Sequence, residues 1–310
     1  MAIIVSHPSP EKIDWWIGQL QPLLPGWTIR SIHDPGAAEA VTYAVVWKPA
    51  SGAFLPFPNL KAIVSLGAGI DHVLADTKLP RQVPIIRTVG TDLTQRMREY
   101  VALHVLRHHR DMPAIAANQR EKRWTQLVVP PATQRSVGVM GLGNLGGTAA
   151  RTLASLGFET RGWSRTRREI EGVTSYAGAA EFDDFLAGCE ILISLLPLTE
   201  ATTGILGTSL FTKLPPGASV INAGRGPHLI DGDLLAALDS GQLSHATLDV
   251  FHIEPLPSEH PFWTHPKVTL TPHIASLIDP PTGSRIVSAN IERFEATGHV
   301  EDLADAERGY

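Results

Sequence analysis

Strand-length apolar runs alternate with helix-like stretches along almost the whole chain. The first ninety residues give expected strands near 3–5, 28–31, 43–47, 62–66 and 85–87. A helix is expected after Ser9, with Pro10 at its first position and Glu11 beside it. The longest helical pattern covers residues 92–117, where Met97, Tyr100, Val101, His104, Val105 and His108 share one face; we expect it to bridge two domains, with His104 packed rather than catalytic. The alternation restarts at residue 136 and continues through expected strands at 136–140, 158–162, 191–196, 218–223, 246–250 and 268–271. A final helical pattern at 281–296 is expected to cross back to the first domain. Strands alternating with helices specify parallel sheets covered by helices. The pattern predicts an α/β protein with two doubly wound, Rossmann-like domains, parallel sheets and an interdomain cleft. Residues 1–95 and 277–310 would form one domain, flavodoxin-like, and residues 96–276 a second, Rossmann domain.

Composition narrows the partners. The chain has 310 residues, 43% of them hydrophobic and 18% charged, and a net charge of −5. No block of five like charges occurs, so a nucleic acid partner is not expected. Neither a basic, apolar leader nor 18 consecutive apolar residues appear, so we expect no membrane association and a cytoplasmic protein. The one cysteine, Cys189, precedes the apolar run at 191–196 and reads as core. No metal site is expected.

The run Gly141-Leu142-Gly143-Asn144-Leu145-Gly146 follows an apolar strand and opens a helical stretch carrying Ala149, Ala150 and Leu153. In that context the glycines form a dinucleotide cradle: one for the turn, one for close approach of the phosphates, one for helix packing. At the end of the next strand, an NAD site places a carboxylate about 20 residues past the glycines to bond the ribose hydroxyl. Here Ser164 stands there, followed by Arg165, Thr166, Arg167 and Arg168. A hydroxyl and guanidinium groups suit a 2′-phosphate, which predicts NADP(H).

Three polar residues stand at or just beyond strand ends: Arg225 in Ile221-Asn-Ala-Gly-Arg225-Gly226, Glu254 in Asp249-Val-Phe-His-Ile-Glu254-Pro, and His273 in Thr271-Pro-His273. Each alone could be structural. Together beside a nicotinamide they are the parts of a carbonyl reductase: Arg225 to hold a carboxylate and polarise the carbonyl, His273 as general acid, and Glu254 to fix the imidazole and favour its protonated form. In the first domain, Gly67-Ala68-Gly69 lies just past a strand, and Ala68 and Gly69 are candidates for a carboxylate nest. Trp47 and Lys48 could line the same cleft, although Trp47 would serve equally well in a core.

These motifs, with Leu195-Leu-Pro-Leu-Thr-Glu-Ala-Thr202, Trp163-Ser164-Arg165, Leu248-Asp-Val-Phe251 and the closing Arg308-Gly-Tyr310, resemble the D-2-hydroxyacid dehydrogenase family. Within it they are most similar to the NADPH-dependent glyoxylate/hydroxypyruvate reductase A branch. The resemblance covers nearly the whole chain. It implies reduction of small 2-keto acids (glyoxylate to glycolate, hydroxypyruvate to D-glycerate), with Arg225, Glu254 and His273 catalytic. It also implies that Asp249 faces the nicotinamide amide, that Leu196, Pro197 and Ala223 border the cofactor, and that the protein is a homodimer with residues 124–131 as an exchanged arm. Two departures stand out: Arg98 replaces a small residue, and Ile278-Asp279-Pro280-Pro281 replaces the usual turn after the histidine. The alternatives are an NAD-dependent relative of other specificity and a cofactor-sensing, corepressor-like binding protein.

Overall fold

A computed structural model describes residues 1–305, so the closing Arg308-Gly-Tyr310 lies outside the described residues. The chain divides into two compact units, Met1–Leu93 with the chain from Ile278 onward, and Thr94–Leu277.

In the first unit, β1 (Ala2–Ser6), α1 (Pro10–Leu20), β2 (Thr28–Ser31), β3 (Val41–Val46), β4 (Ala62–Ser65), α2 (Asp71–Leu74) and β5 (Ile85–Ile86) build a parallel sheet in the order β2-β1-β3-β4-β5. Strands β1, β3 and β4 are buried along their whole length, as a sheet covered on both faces requires. A terminal helix, Pro280–Thr297, packs Val287 and Ile291 with Ile13, Trp16 and Leu20 of α1. Its start explains one departure noted above: the Asp279 carboxylate accepts from the Thr282 amide at 3.2 Å, an N-cap. The helix is also pinned to the sheet, because Tyr43 donates to Glu295 at 2.7 Å and Lys61 reaches the same carboxylate.

Helix α3 (Thr91–His109) carries the chain from the first unit into the second. The helix expected over residues 92–117 is in fact two, with α4 at Met112–Arg120. Asp111 between them has a left-handed backbone (φ 50°), and Pro113 lacks the N–H that a continuous helix would need. The rest of the unit runs β6 (Ser136–Met140), α5 (Asn144–Ser155), β7 (Glu159–Ser164), β8 (Val173–Ala177), α6 (Phe182–Ala187), β9 (Ile191–Ser194), α7 (Thr208–Phe211), β10 (Ala218–Asn222), α8 (Asp231–Ser240), β11 (Leu243–Leu248) and β12 (Val268–Leu270). These strands form a parallel sheet in the order β12-β11-β10-β9-β6-β7-β8. The order reverses at β6, whose neighbours are β7 and β9, and at such a switch point ligands bind beyond the carboxyl ends of the strands. Strand β8 has no clear sequence signal. It is an edge strand, and its residues are exposed or only partly buried.

Arg98, the second departure, ties helices together: its Nε donates to Thr152 of α5 at 3.0 Å. Cys189 is fully buried and its thiol is pushed up to about 12 by burial, which makes it inert packing. The buried face of α3 carries three histidines. His108 bonds Thr247 of β11 at 2.9 Å, and burial lowers it to about 3, with His245, His104 and Arg107 pushing the same way. Burial and Arg107 lower His104 to about 4, against the opposing charge of Asp249.

These histidines are neutral in the folded protein yet protonate near 6.5 when the chain unfolds, so unfolding takes up protons below that value. Stability should therefore be full above about pH 6.5 and fall as the pH drops towards 3, with His108 contributing a slope of about 1.4 kcal/mol per pH unit. Urea unfolding at several pH values should show a shallower acid slope for His108→Gln than for wild type. Equal slopes would contradict this account.

Candidate functional site

The glycine run sits where β6 turns into α5. Gly141 is left-handed (φ 95°), and a Cβ there would lie 2.7 Å from the Leu195 carbonyl oxygen. A Cβ on Gly146 would fall 1.8 Å from the Gly141 oxygen, so the helix packs on the strand only with glycine at that position. Gly143 is different: a Cβ on it would meet nothing within 4 Å. Beside it begins α5 with Asn144 and Leu145, whose first-turn amides lack partners within the helix. A cavity of about 230 Å³ opens here, lined by Gly143, Asn144, Thr148, Arg151, Arg168 and Ile170 among others. Among the described residues, the guanidinium groups of Arg151 and Arg168 form no hydrogen bond or ion pair. An exposed amide cradle, open space at Gly143 and two unengaged cations fit a phosphorylated dinucleotide. Sequence reasoning passed over Arg151; its place on α5, five residues past Gly146, was the available signal.

Ser164 ends β7, and its hydroxyl donates to the Thr166 carbonyl at 2.7 Å. Arg165 and Thr166 follow in the turn. Arg167 is committed elsewhere, to the Ser175 carbonyl and the Glu181 carboxylate, and so braces the turn against β8. Leu196 and Ala223, beyond β9 and β10, are both 7% exposed. The Pro197 carbonyl accepts from the Thr202 hydroxyl at 2.8 Å.

Arg225 follows β10. The Asn222 side chain accepts from the Gly224 amide and donates to the Arg225 carbonyl, so the strand end itself shapes the turn. The Arg225 amide donates to His228 Nδ1 at 3.1 Å. That leaves the hydrogen on His228 Nε2, which donates to the Pro197 carbonyl at 3.2 Å. His228 is fully buried and links the arginine turn to the loop after β9, a role that sequence alone did not suggest.

Glu254 and His273 are brought together. Nδ1 of His273 lies 2.9 Å from Oε2 of Glu254, and Oε1 of the same carboxylate accepts from the Phe251 amide at 3.1 Å. A carboxylate at that distance takes the Nδ1 hydrogen and fixes the tautomer of the ring. Asp249, just past β11, is 1% exposed and spends its carboxylate inside the protein. It accepts from the Thr271 hydroxyl (2.6 Å) and from the amides of Ile274 (2.9 Å) and Ala275 (2.8 Å).

In the first unit, Trp47 follows β3 and packs its ring against that of His72, with centroids 4.5 Å apart and the planes tilted by 55°. A Cβ on Gly67 would strike the Trp47 ring at 2.8 Å. The Ser65 hydroxyl donates to the Gly69 carbonyl (3.1 Å) and accepts from His72 Nε2 (3.2 Å), while His72 Nδ1 accepts from the Lys48 amide (3.3 Å). Ala68 and Gly69 are partly exposed, and among the described residues their amides donate no hydrogen bond. His72 is thus the hub of this loop, which the sequence reading did not single out.

Comparison with known proteins gives the same picture over the full chain. The family described as D-isomer specific 2-hydroxyacid dehydrogenase, NAD binding domain, matches residues 102–275. A protein of Yersinia enterocolitica named glyoxylate/hydroxypyruvate reductase A is 43% identical over 315 residues, which is 100% of both chains. A D-isomer specific 2-hydroxyacid dehydrogenase from Xanthobacter autotrophicus Py2, solved with NADPH and MES, superimposes with a TM-score of 0.93 at 42% identity, covering 99% of each chain. An NADPH-dependent glyoxylate/hydroxypyruvate reductase from Sinorhizobium meliloti, solved with NADP and sulfate, gives a TM-score of 0.90 at 40% identity, covering 100% of this chain and 99% of that one. With matches of this extent, the chain belongs to the D-isomer specific 2-hydroxyacid dehydrogenase family.

Proposed function

We propose that this chain is an NADPH-dependent reductase of small 2-keto acids, glyoxylate and hydroxypyruvate foremost. The observation that carries the reading is the Glu254–His273 pair at 2.9 Å, in the same unit as the cradle and Arg225. The names and bound cofactors of the relatives support it. In this reading the unit Thr94–Leu277 holds the cofactor, and Trp47, Ala68 and Gly69 bind substrate.

The cofactor's pyrophosphate would rest on Gly143, Asn144 and Leu145, and its 2′-phosphate on Ser164, Arg165 and Thr166 with Arg168 nearby; Leu196, Pro197, Ala223 and Asp249 would border the nicotinamide half. Arg167, held by Glu181, keeps the turn in shape. Bound NADPH would supply a hydride to the keto carbon. Arg225 would hold the substrate carboxylate with its planar fork and draw charge onto the carbonyl oxygen. His273, with Nδ1 engaged by Glu254, would present its Nε2 proton to that oxygen as it becomes an alkoxide. Glu254 would orient the ring and balance the imidazolium charge.

The same reading makes the protein a cytoplasmic homodimer. Trp124 is 96% and Val128 98% exposed, an arrangement suited to an arm that docks on a second copy. Among the described residues no helix is long and apolar enough to cross a membrane.

Initial rates with both keto acids and both reduced nicotinamides test the proposal. NADPH should be preferred at least about tenfold, as one or more charge-assisted phosphate bonds would give. His273→Asn should lower kcat about a hundredfold or more, and Arg225→Ala should raise KM for the keto acid as well as lower kcat. Equal use of NADH, or full turnover by His273→Asn, would overturn it. The glycines allow a separate check. Gly146→Ala should lower thermal stability by about 1–3 kcal/mol through overpacking. Gly143→Ala should leave unfolding unchanged yet weaken NADPH binding, measured by fluorescence titration.

A further inference from the structure

His273 has a left-handed backbone, φ 55°, which a residue with a side chain adopts only when its surroundings hold it there. Asp249 makes four of the bonds that hold the segment carrying it. The Asp249 carbonyl accepts from the His273 amide at 2.8 Å, and its carboxylate takes the Thr271 hydroxyl and the amides of Ile274 and Ala275. A second layer lies behind this one. The Tyr100 hydroxyl, on α3, is 2.8 Å from Thr271 Oγ1.

The direction of that bond follows from counting hydrogens. Thr271 has one hydroxyl hydrogen, and it goes to the Asp249 carboxylate at 2.6 Å, the stronger, charged acceptor. Thr271 Oγ1 must then accept from Tyr100. Burial and the Asp249 charge both raise the Tyr100 phenol, so it keeps its hydrogen throughout the working range. Its ring is fixed as well, lying 4.3 Å from the neutral, buried ring of His104 one helical turn on. The result is a one-way relay, from the Tyr100 hydroxyl to the Thr271 hydroxyl to the Asp249 carboxylate, that ends on the strained segment.

We propose that Tyr100 and Thr271 are positioning residues, whose hydroxyl relay sets the Asp249 carboxylate and thereby holds the His273 ring on Glu254 in the orientation that proton donation requires. Neither residue touches the reacting atoms in this scheme. Without the Tyr100 hydroxyl, Thr271 Oγ1 can turn, one of the bonds to Asp249 slackens, and the His273 backbone can relax from its left-handed conformation. The inference rests on the reading of His273 as the proton donor, but the placement of its ring can be measured without turnover.

The test uses Tyr100→Phe, Thr271→Ser, Thr271→Val and the double variant Tyr100→Phe/Thr271→Val. Ring nitrogen signals of ¹⁵N-histidine-labelled, cofactor-free protein, assigned by their loss in His273→Asn, report the Nδ1–H tautomer. We expect Tyr100→Phe to move the His273 signals towards the tautomer average and to lower kcat about tenfold, with the Kd for NADPH unchanged; small displacements of a reacting group have effects of this size. Thr271→Ser, which keeps the hydroxyl, should match wild type. The double variant should fall no further than Thr271→Val, since both changes cut one relay. Unchanged His273 signals in Tyr100→Phe, equal damage from Thr271→Ser and Thr271→Val, or multiplicative losses in the double variant would each overturn the proposal. Should Thr271→Val fail to fold, Tyr100→Phe and Thr271→Ser decide the matter alone. If the ring signals move as expected while His273→Asn retains full turnover, the relay stands and the proton-donor role falls.

Discussion

One buried carboxylate holds the second unit's chemistry in place. Asp249 ends β11 with 1% of its surface exposed, and an ionised group so placed is tolerated only when donors surround it. Three donors do so, and all three come from the five residues around His273. Burying the carboxylate and holding the histidine in a left-handed turn are therefore one event. The second unit keeps a strained residue at a strand end because a satisfied charge beneath it makes relaxation costly.

The surrounding turns use the same device, in which polar groups at strand ends shape the loop that follows. Asn222 closes the Arg225 turn through both ends of its amide, and His228 ties that turn to the Pro197 carbonyl. Glu254 divides its carboxylate between the Phe251 amide and the His273 ring. In the first unit, Ser65 and His72 do the same for Gly69 and Lys48. The rigid parallel sheet supplies the platform, and the loops at its carboxyl edge supply the chemistry.

Much of this was legible in the sequence. The apolar runs that became β1, β3, β6 and β9 were unmistakable because strands buried on both faces carry few polar positions. The glycine run declared its context through the strand before it and the small apolar residues after it. Other features were hidden for physical reasons. Strand β8 lies at a sheet edge with no fully buried position, so it has no apolar signature. The break at Asp111 depended on one proline within an otherwise periodic stretch. His228, His72 and the Tyr100–Thr271 bond join residues far apart in the chain or on opposite sides of a turn, and side-chain contacts of that kind leave no periodic trace. The bond of Arg167 to Glu181 also needed coordinates, since three arginines within four residues look equivalent when read in a line.

The central claim is that Arg225 and the Glu254-oriented His273 act on one 2-keto acid. A crystal structure with NADP and oxalate, a non-reducible mimic of such a substrate, tests it most directly. The account predicts an oxalate oxygen within hydrogen-bonding distance of His273 Nε2 and a carboxylate in the fork of Arg225, with His273 Nδ1 still on Glu254. Oxalate bound away from both side chains, or an imidazole turned off Glu254 in that complex, would contradict it.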